Sequence, residues 1–176
     1  MNRSFNIEHS SMMKNPIHPF DQAAGSMQSL GFDIIQQDKG RPWGGYYVIA
    51  ESQAKKFAAH FFPEEDFEQL KKSGKLSPKI LMVAPKKRLS WQYHHRRAEI
   101  WRCIEGEVAV ATSLTDTESQ QHILKPGDQI KLQQGERHRL IGLDDWGIVA
   151  EIWLHTDATH PSDEDDIVRL QDDFGR

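Results

Sequence analysis

Glutamine, histidine and glutamate recur in the middle of the sequence at spacings that suit a metal ion. Gln92 and His94 are two residues apart, so on a strand their side chains leave by the same face. Glu99 follows after four intervening residues, and His138 lies in a second stretch farther along the chain. If the two stretches meet, they offer two imidazoles, one carboxylate and one amide oxygen. Such a set suits one divalent metal, with zinc favoured and manganese, iron, cobalt or nickel as alternatives.

Each of these residues also has a plainer interpretation. His94 taken alone would be more typical of a hydrogen-bonded core histidine than of a metal ligand. Gln92 is the weakest member of the set, because glutamine is a poor ligand. The two matched spacings of His94, Glu99 and His138 nevertheless favour a metal site. His95 leaves a strand by the face opposite to His94, which indicates a supporting or surface role.

The elements that must position these residues are short strands. From residue 79 onward, apolar and β-branched runs alternate with turn signals rich in Gly, Pro and Asp. Many short, evenly spaced strands predict an all-β sandwich or barrel, whose cavity is lined by alternate residues. The predicted strands span residues 32–37, 46–50, 80–84, 99–104, 108–113, 121–124, 129–132, 137–141 and 148–154.

Two segments interrupt or follow this series of strands. Residues 51–78 form an insert, in which residues 63–74 have the first proline, early acids, late lysines and final glycine of a short helix. The insert is either a lid over the cavity or a surface helix, and the sequence favours neither. Residues 161–176 are predicted as a helical tail, because Ser162 could cap a first turn that is rich in acids.

Length and composition limit the domain count and the partners. A chain of 176 residues, 38% hydrophobic and 27% charged, fits one domain at 31–176 after an arm at 1–30. That arm is expected to be loosely ordered, and two prolines at 15–20 exclude a regular helix there. The net charge of −4 gives no field that attracts nucleic acid or a membrane surface. The absence of a long apolar run or signal-peptide core predicts a cytoplasmic location.

The chain has a single cysteine, Cys103. One cysteine cannot form an internal disulfide, which agrees with a reducing compartment. Its neighbours Ile100, Trp101 and Ile104 are apolar, so we expect a buried, inert thiol rather than a nucleophile.

The two histidine-bearing stretches resemble the paired motifs of the cupin superfamily. The first motif there is usually His-x-His, three or four residues, Glu, six residues and Gly, and Gln92 stands here at the first His. The second motif usually has a proline where this chain has Gln133. More narrowly, three segments resemble type II phosphomannose isomerases, namely 41–44 (RPWG), 89–99 (LSWQYHHRRAE) and 165–169 (DDIVR). The resemblance implies a cupin double-stranded β-helix, which is a jelly-roll barrel.

This resemblance also implies a metal-dependent aldose–ketose isomerase that acts on a sugar phosphate. Mannose 6-phosphate to fructose 6-phosphate is the first expectation, and a heptose phosphate is the alternative substrate. The metal, held by Gln92, His94, Glu99 and His138, would polarise the oxygens on C1 and C2 while a carboxylate or histidine moves the proton. Such cupins often follow a sugar nucleotidyltransferase domain, whose glycine-rich phosphate loop this sequence lacks.

Charged residues in the matching motifs and strands are the candidates for catalysis and substrate binding. Glu99, Arg97 and Arg169 lie inside the motifs, and Glu151 alternates onto one face of a predicted strand. Glu151 is therefore a candidate base, although a buried ion-pair partner would show the same pattern. A phosphate group also needs cations, and arginine binds it through two parallel hydrogen bonds. The remaining candidates for substrate binding are Arg41, Lys79, Arg88 and Arg139.

Two other functions fit the same barrel. A non-catalytic cupin could bind a sugar or a nucleotide sugar, because one fold hosts many functions. A non-haem iron oxygenase could use two histidines and one carboxylate, although the RPWG motif and the tail count against it. A homodimer is expected by analogy with other cupins, with no nucleic-acid or membrane partner.

Overall fold

A computed structural model describes residues 15–176, which form two antiparallel β-sheets with three short helices. Residues 1–14, the first part of the predicted arm, lie outside the described residues. The helices are α1 Pro19–Ser29, α2 Ala54–Phe61 and α3 Phe67–Leu70. The strands are β1 Ile34–Arg41, β2 Gly44–Ile49, β3 Lys79–Val83, β4 Trp91–Tyr93, β5 Arg97–Glu105, β6 Val108–Ser113, β7 Gln120–Leu124, β8 Gln129–Leu132, β9 Arg137–Gly142, β10 Gly147–His155 and β11 Val168–Gln171.

The strands form a jelly-roll barrel, as the sequence predicts. Sheet A has the order β1-β2-β3-β10-β5-β8, and sheet B has the order β11-β4-β9-β6-β7. Strands distant in sequence are thus neighbours in both sheets, as a jelly roll requires. Side chains from both sheets meet in one inner cluster: Leu81, Val83, Trp101, Cys103, Val108, Val110, Leu124, Leu132, Leu140 and Val149.

Alternation along the strands of sheet A separates an inner face from an outer face. On β3, Leu81 packs in the inner cluster, whereas its neighbour Ile80 packs in a second cluster behind the sheet. On β10, Val149 packs in the inner cluster, so Glu151, two positions later, turns to the same side. The period of two therefore directs charged side chains of sheet A into the barrel.

The insert at residues 51–78 covers the outer face of sheet A. Phe57 on α2 and Leu70 on α3 are buried there in the same hydrophobic cluster as Ile80 of β3. No residue of the insert lines the cavity that holds the candidate site. The insert is therefore neither a lid nor a decorative surface helix, because it completes the hydrophobic core behind the sheet.

Two helix predictions need correction. The helix expected at 63–74 is shorter, because Asp66 caps it and α3 begins only after that residue. Residues 15–18 are not helical, as predicted, but α1 begins at Pro19, in whose first turn the missing proline N–H costs nothing. Met27 of α1 is buried in the second hydrophobic cluster, behind sheet A. Residues 19–29 are therefore a packed helix rather than a loose part of the arm.

The predicted helical tail is wrong, because the tail contains strand β11. Arg169 of β11 pairs in register with Gln92 of β4 at the edge of sheet B. Ser162 caps no helix; its hydroxyl donates to the Asp166 carboxylate at 2.6 Å. Alternation of apolar and charged residues in 167–171 fits a strand as well as a helix face, and pairing with β4 decides for the strand.

All nine predicted strands are present, with ends shifted by a few residues. The short strand β4 and the tail strand β11 are additional. Gly106 forms the turn between β5 and β6 with a φ of 68°, and a side chain there would collide with the Trp146 carbonyl. Cys103 is buried, and burial raises the pKa of its thiol to about 11, which confirms an inert residue. In the described residues, no helix is long and apolar enough to span a bilayer.

Candidate metal centre and its cavity

Three buried side chains from separate strands meet inside the barrel. His94 follows β4, Glu99 lies on β5 and His138 lies on β9. One donor atom from each residue lies within 4.8 Å of the donor atoms of the other two. The Nε2 atom of His94 is 3.3 Å from Glu99 Oε1, and Nε2 of His138 is 3.4 Å from Glu99 Oε2. The two stretches singled out in the sequence therefore do converge.

Strand pairing explains this convergence. Gln92 on β4 is the register partner of His138 on β9, which places both stretches side by side in sheet B. The amide of Gly135 donates to the His94 carbonyl at 3.0 Å and fixes the turn that follows β4. Glu99 comes from sheet A, where it lies opposite Trp153 of β10. The site thus bridges the two sheets.

Backbone carbonyls fix the tautomers of both histidines. His94 donates from Nδ1 to the carbonyl of Asp166 at 2.7 Å, and His138 donates from Nδ1 to the carbonyl of Glu136 at 2.9 Å. Because a carbonyl only accepts, each Nδ1 carries the proton in the neutral ring and each Nε2 keeps its lone pair. Both lone pairs face Glu99, which is the arrangement of metal-binding histidines held by outer partners.

The chemistry of the group fits a divalent metal. Glu99 Oε2 and His138 Nε2 are buried and make no hydrogen bond, which is costly for polar atoms that no ligand satisfies. Two imidazoles and a carboxylate suit zinc, manganese, iron, cobalt or nickel. Within residues 15–176, this is the one group of three His, Cys, Asp or Glu side chains whose donor atoms lie close enough together to hold an ion.

Electrostatics keep the group in a form that can bind a cation. Burial alone would raise the pKa of Glu99, but His94 and Arg97 outweigh it and hold that pKa well below its usual range. Burial lowers the pKa of His94, so this imidazole is neutral at pH 7. For His138 the Glu99 carboxylate outweighs burial and raises the pKa. A carboxylate and a neutral imidazole therefore stand ready as ligands.

Gln92 lies beside the candidate metal group of His94, Glu99 and His138. Its amide oxygen accepts a hydrogen bond from the Ser90 hydroxyl at 2.5 Å. The side chain is half-buried and lines the same cavity as Glu99. Its predicted role as a fourth ligand stays a prediction, and its position also suits a hydrogen bond to a bound molecule.

Arg97, predicted to be catalytic, holds the candidate ligands in place. Its guanidinium donates to Glu99 Oε1 at 2.8 Å and lies 3.2 Å from His94 Nε2. It also donates to the Ser162 hydroxyl at 2.9 Å and stacks 3.6 Å above the Trp153 ring. Each nitrogen of this buried guanidinium therefore has a partner, and Arg97 also lines the cavity.

Glu151 is the second buried carboxylate of the cavity. The indole N–H groups of Trp101 and Trp153 donate to its two oxygens at 2.7 Å and 2.9 Å. Burial and the neighbouring Glu99 charge raise the pKa of Glu151 to about 7. A carboxyl group that is half protonated at neutral pH, and whose orientation is fixed, can act as a general acid and base. The ion-pair alternative is not what holds it, since its hydrogen bonds come from indoles.

The predicted substrate-binding cations divide into two groups. Arg41 and Lys79 line the cavity, as does the predicted catalytic Arg169. Arg88 lies outside the lining and forms a two-point ion pair with Asp173 at 2.7 Å and 2.9 Å. The predicted role of Arg88 is corrected, because its guanidinium fastens the tail.

Arg139 also differs from its predicted role. It is 1% exposed and donates to the Leu89 carbonyl, the Glu118 carboxylate and the Gln171 carbonyl at 2.8, 2.9 and 3.1 Å. Because it follows His138 directly on β9, its side chain leaves by the opposite face of the strand. Arg139 therefore joins sheet B to the tail rather than binding a ligand in the cavity.

Sequence reasoning missed several residues that complete the site. Trp101 and Trp153 orient Glu151, and the alternation of β5 and β10 would have placed both on the inner face. Asp166 accepts from the backbone N–H groups of His95 and Arg96, both at 2.9 Å, so it fixes the turn beside His94. Only the DDIVR match pointed to it. The cavity lining also includes Trp43, Tyr46, Glu164, Ile167 and Arg176.

This fold and this site define a cupin barrel with a candidate metal centre between its two sheets. The chain belongs to the family described as mannose-6-phosphate isomerase, C-terminal, whose sequence model matches residues 51–172, more than half of the chain. The resemblance noted in the sequence is thereby confirmed at the level of the family. No protein in the curated set matches this sequence.

Solved structures of low sequence identity align with parts of this chain. CapF with the inhibitor 3-isopropenyl-tropolone aligns with a TM-score of 0.54 and 10% identity over 77% of this chain and 34% of its own. An oxalate oxidase in complex with glycolate aligns with a TM-score of 0.44 and 18% identity over 54% of this chain and 46% of its own. A cupin 2 barrel protein from Salinispora arenicola CNS-205 aligns with a TM-score of 0.41 and 22% identity over 48% of this chain and 65% of its own. The chain spans less than two thirds of each, and the likeness to CapF concerns the fold alone.

Proposed function

We propose that the protein is a metal-dependent aldose–ketose isomerase that acts on a sugar phosphate, with mannose 6-phosphate and fructose 6-phosphate as the first pair. One observation carries this proposal. A single cavity is lined by Glu99 of the candidate metal group, by Glu151 and by the cations Arg41, Lys79 and Arg169. Metal-dependent isomerisation of a sugar phosphate uses a Lewis acid, a proton carrier and cations for the phosphate group. The candidate metal group could hold the Lewis acid, Glu151 could carry the proton, and the cations could bind the phosphate.

The metal would be held by His94, Glu99 and His138. When bound, it would supply a Lewis acid for the oxygens on C1 and C2 of the sugar. Arg97 keeps Glu99 ionised and in position through its hydrogen bond of 2.8 Å. The amide of Gln92 can donate to or accept from a sugar hydroxyl beside the group.

Glu151 would carry the proton. As a carboxylate it would take the proton from C2 of the aldose to give an enediolate, and as a carboxylic acid it would return that proton to C1, while the proton on the C2 oxygen moves to the C1 oxygen. A pKa of about 7 makes both forms accessible at neutral pH. The two indole N–H groups that hold its oxygens keep the carboxyl group in one orientation through both transfers.

Arg169 would be the first contact for the phosphate group. Arg41 is paired with Asp38 at 2.9 Å, and Lys79 is paired with Glu164. Among the described residues, no carboxylate lies within ion-pair distance of Arg169. An exposed guanidinium at the cavity wall can bind a phosphate through two hydrogen bonds without first losing a partner.

The test is an isomerase assay on purified protein whose metal content has been measured. Mannose 6-phosphate and heptose phosphates are each incubated with protein loaded with zinc, manganese, iron, cobalt or nickel, and the ketose product is quantified. Glu151→Gln is expected to lower kcat by roughly 10²- to 10⁴-fold while metal content and fold are retained. The absence of turnover on every sugar would reject the proposal.

Two further readouts separate the alternatives. Binding of a sugar phosphate without turnover would favour a non-catalytic cupin, and oxygen consumption by the ferrous protein would favour an oxygenase. The homodimer also stays a proposal, which light scattering on the same sample can test.

A further inference from the structure

A side chain from the tail covers a buried cation in the cavity. The Lys79 ammonium forms an ion pair with the Glu164 carboxylate. The Lys79 side chain is 8% exposed, whereas that of Glu164 is 67% exposed. The faces of Trp153 and Tyr46 lie 4.3 Å and 5.3 Å from this ammonium, and the buried Glu151 is close enough to interact with its charge. Glu164 therefore provides the anion that a buried lysine at a cavity wall requires.

The backbone around Glu164 is held without help from this ion pair. The Asp163 carbonyl accepts from Arg97 at 3.0 Å and from the Asp166 amide at 3.2 Å. Asp166 is itself anchored by its carboxylate to the turn after β4. The Glu164 side chain can therefore rotate into solvent while its backbone stays in place.

We propose that Glu164 is an internal competitor for the phosphate group of the ligand. In the free protein its carboxylate occupies the anion position at Lys79 and lines the same cavity as Arg41. A phosphorylated ligand displaces the carboxylate, because a dianion attracts Lys79 and Arg41 more strongly than one carboxylate does. A neutral sugar offers no replacement charge and leaves Glu164 in place. Glu164 thus determines specificity for phosphorylated ligands.

This inference rests on the proposed function only for the sugar part of the ligand. The anion position itself can be probed with inorganic phosphate, by calorimetric titration at low salt. Glu164→Gln is expected to tighten phosphate binding roughly three- to fivefold, which is the weight of one exposed ion pair. The matched control is Glu64→Gln, because Glu64 is 62% exposed and pairs with a mostly buried cation, Arg102, outside the cavity. That control should bind phosphate as the unaltered protein does.

Lys79→Met provides the opposite test, since methionine is similar in size and apolar. It should weaken phosphate binding by the Glu164→Gln variant roughly 10- to 100-fold, through loss of a charged hydrogen bond, while circular dichroism shows an unchanged fold. In parallel, Glu164→Gln should lower the KM for mannose 6-phosphate and leave weak binding of free mannose unchanged. Unchanged phosphate affinity in Glu164→Gln would overturn the inference even if the protein is an isomerase. Tighter phosphate binding without any isomerase activity would support it and reject the proposed function alone.

Discussion

The imidazole of His94 donates to the backbone carbonyl of Asp166 at 2.7 Å, across 72 positions of sequence. The tail therefore reaches into the candidate metal centre and sets which nitrogen of His94 faces Glu99. The carboxylate of the same Asp166 accepts from the backbone N–H groups of His95 and Arg96. This relationship gives a physical reason for the DDIVR motif, which the sequence alone showed only as a resemblance.

Replacing Asp166 is expected to weaken both the fold and the metal site. Asp166→Ala removes the acceptor of two backbone amides and of the Ser162 hydroxyl, and a lost charged hydrogen bond costs about 1.5–3 kcal/mol. We expect the free energy of unfolding to fall by about 3 kcal/mol and metal affinity to fall about 10- to 100-fold. Urea unfolding and metal titration measure the two effects. The neighbouring exposed residue serves as control, and Asp165→Ala should change neither quantity by a similar amount.

Metal binding is expected to stabilise the folded protein. Glu99 Oε2 and His138 Nε2 lack hydrogen bonds, so a cation between them would satisfy two buried atoms. Metal at about 100 times its Kd should raise the free energy of unfolding by about 2.7 kcal/mol, and a chelator should reverse this. His138→Ala should lose the chelator-sensitive part of the melting temperature, whereas the exposed His95→Ala should keep it. A melting curve insensitive to metal and chelator would contradict a metal centre here.

Period-two alternation made much of this site predictable. It put Glu151 on one face of its strand, and the structure shows that this face lines the cavity. The matched spacings of His94, Glu99 and His138 indicated the group that the fold brings together. These successes share a cause, because a strand with one face in a core fixes the direction of every side chain on it. The predicted substrate-binding roles of Arg88 and Arg139 were wrong for the converse reason. Arginines are suited to phosphate and to structural ion pairs alike, and only the fold shows which face each one leaves by.

Tail and insert show where local pattern stops being informative. The tail residues Val168 and Leu170 alternate with charges, which fits a strand or the edge of a helix, and pairing of β11 with β4 decides the outcome. In the insert, Phe57 and Phe61 repeat at a helical spacing, but nothing local says that their partner is the outer face of sheet A. Both errors concern long-range contacts, which override local propensity.

The position of the insert leads to a prediction that separates packing from gating. Phe57 is fully buried behind sheet A, and its ring centroid lies 4.7 Å from that of Phe61. Phe57→Ala should lower the free energy of unfolding by about 3–5 kcal/mol, as for other large cavities. Because the insert does not line the cavity, KM for the sugar phosphate should not change below the melting temperature. Phe67 is half-buried, so Phe67→Ala should cost less stability. A large change in KM for either variant would instead support a lid role for the insert.

Two arginines near the tail should respond differently to removal. Arg169 lines the cavity without an ion pair among the described residues, whereas Arg88 is tied to Asp173 outside it. Arg169→Ala should therefore weaken binding of a sugar phosphate by about 1.5–3 kcal/mol, roughly 10- to 100-fold, through loss of a charged hydrogen bond. Arg88→Ala should leave that affinity unchanged and lower stability by up to about 1 kcal/mol. Equal affinities in the two variants would remove Arg169 from the phosphate site.

Two buried groups should make stability depend on pH in opposite directions. Burial, with the Glu99 charge, raises the pKa of Glu151 from 4.5 to about 7. Between these values the folded protein holds a proton that the unfolded chain has lost, so the free energy of unfolding falls as pH rises. Burial lowers the pKa of His155 from 6.5 to about 4. In that window the unfolded chain holds the extra proton, so the free energy of unfolding falls as pH falls.

The two windows overlap between pH 4.5 and 6.5, where their contributions to the free energy of unfolding oppose each other. Glu151→Gln removes one slope, so metal-free variant protein should lose stability more steeply than the unaltered protein as pH falls from 6.5 to 4.5. His155→Gln should do the reverse and gain stability, relative to the unaltered protein, over the same change. Either substitution also costs stability at every pH, so the slope in urea unfolding is the readout. Parallel pH profiles for all three proteins would show that neither group titrates as its burial requires.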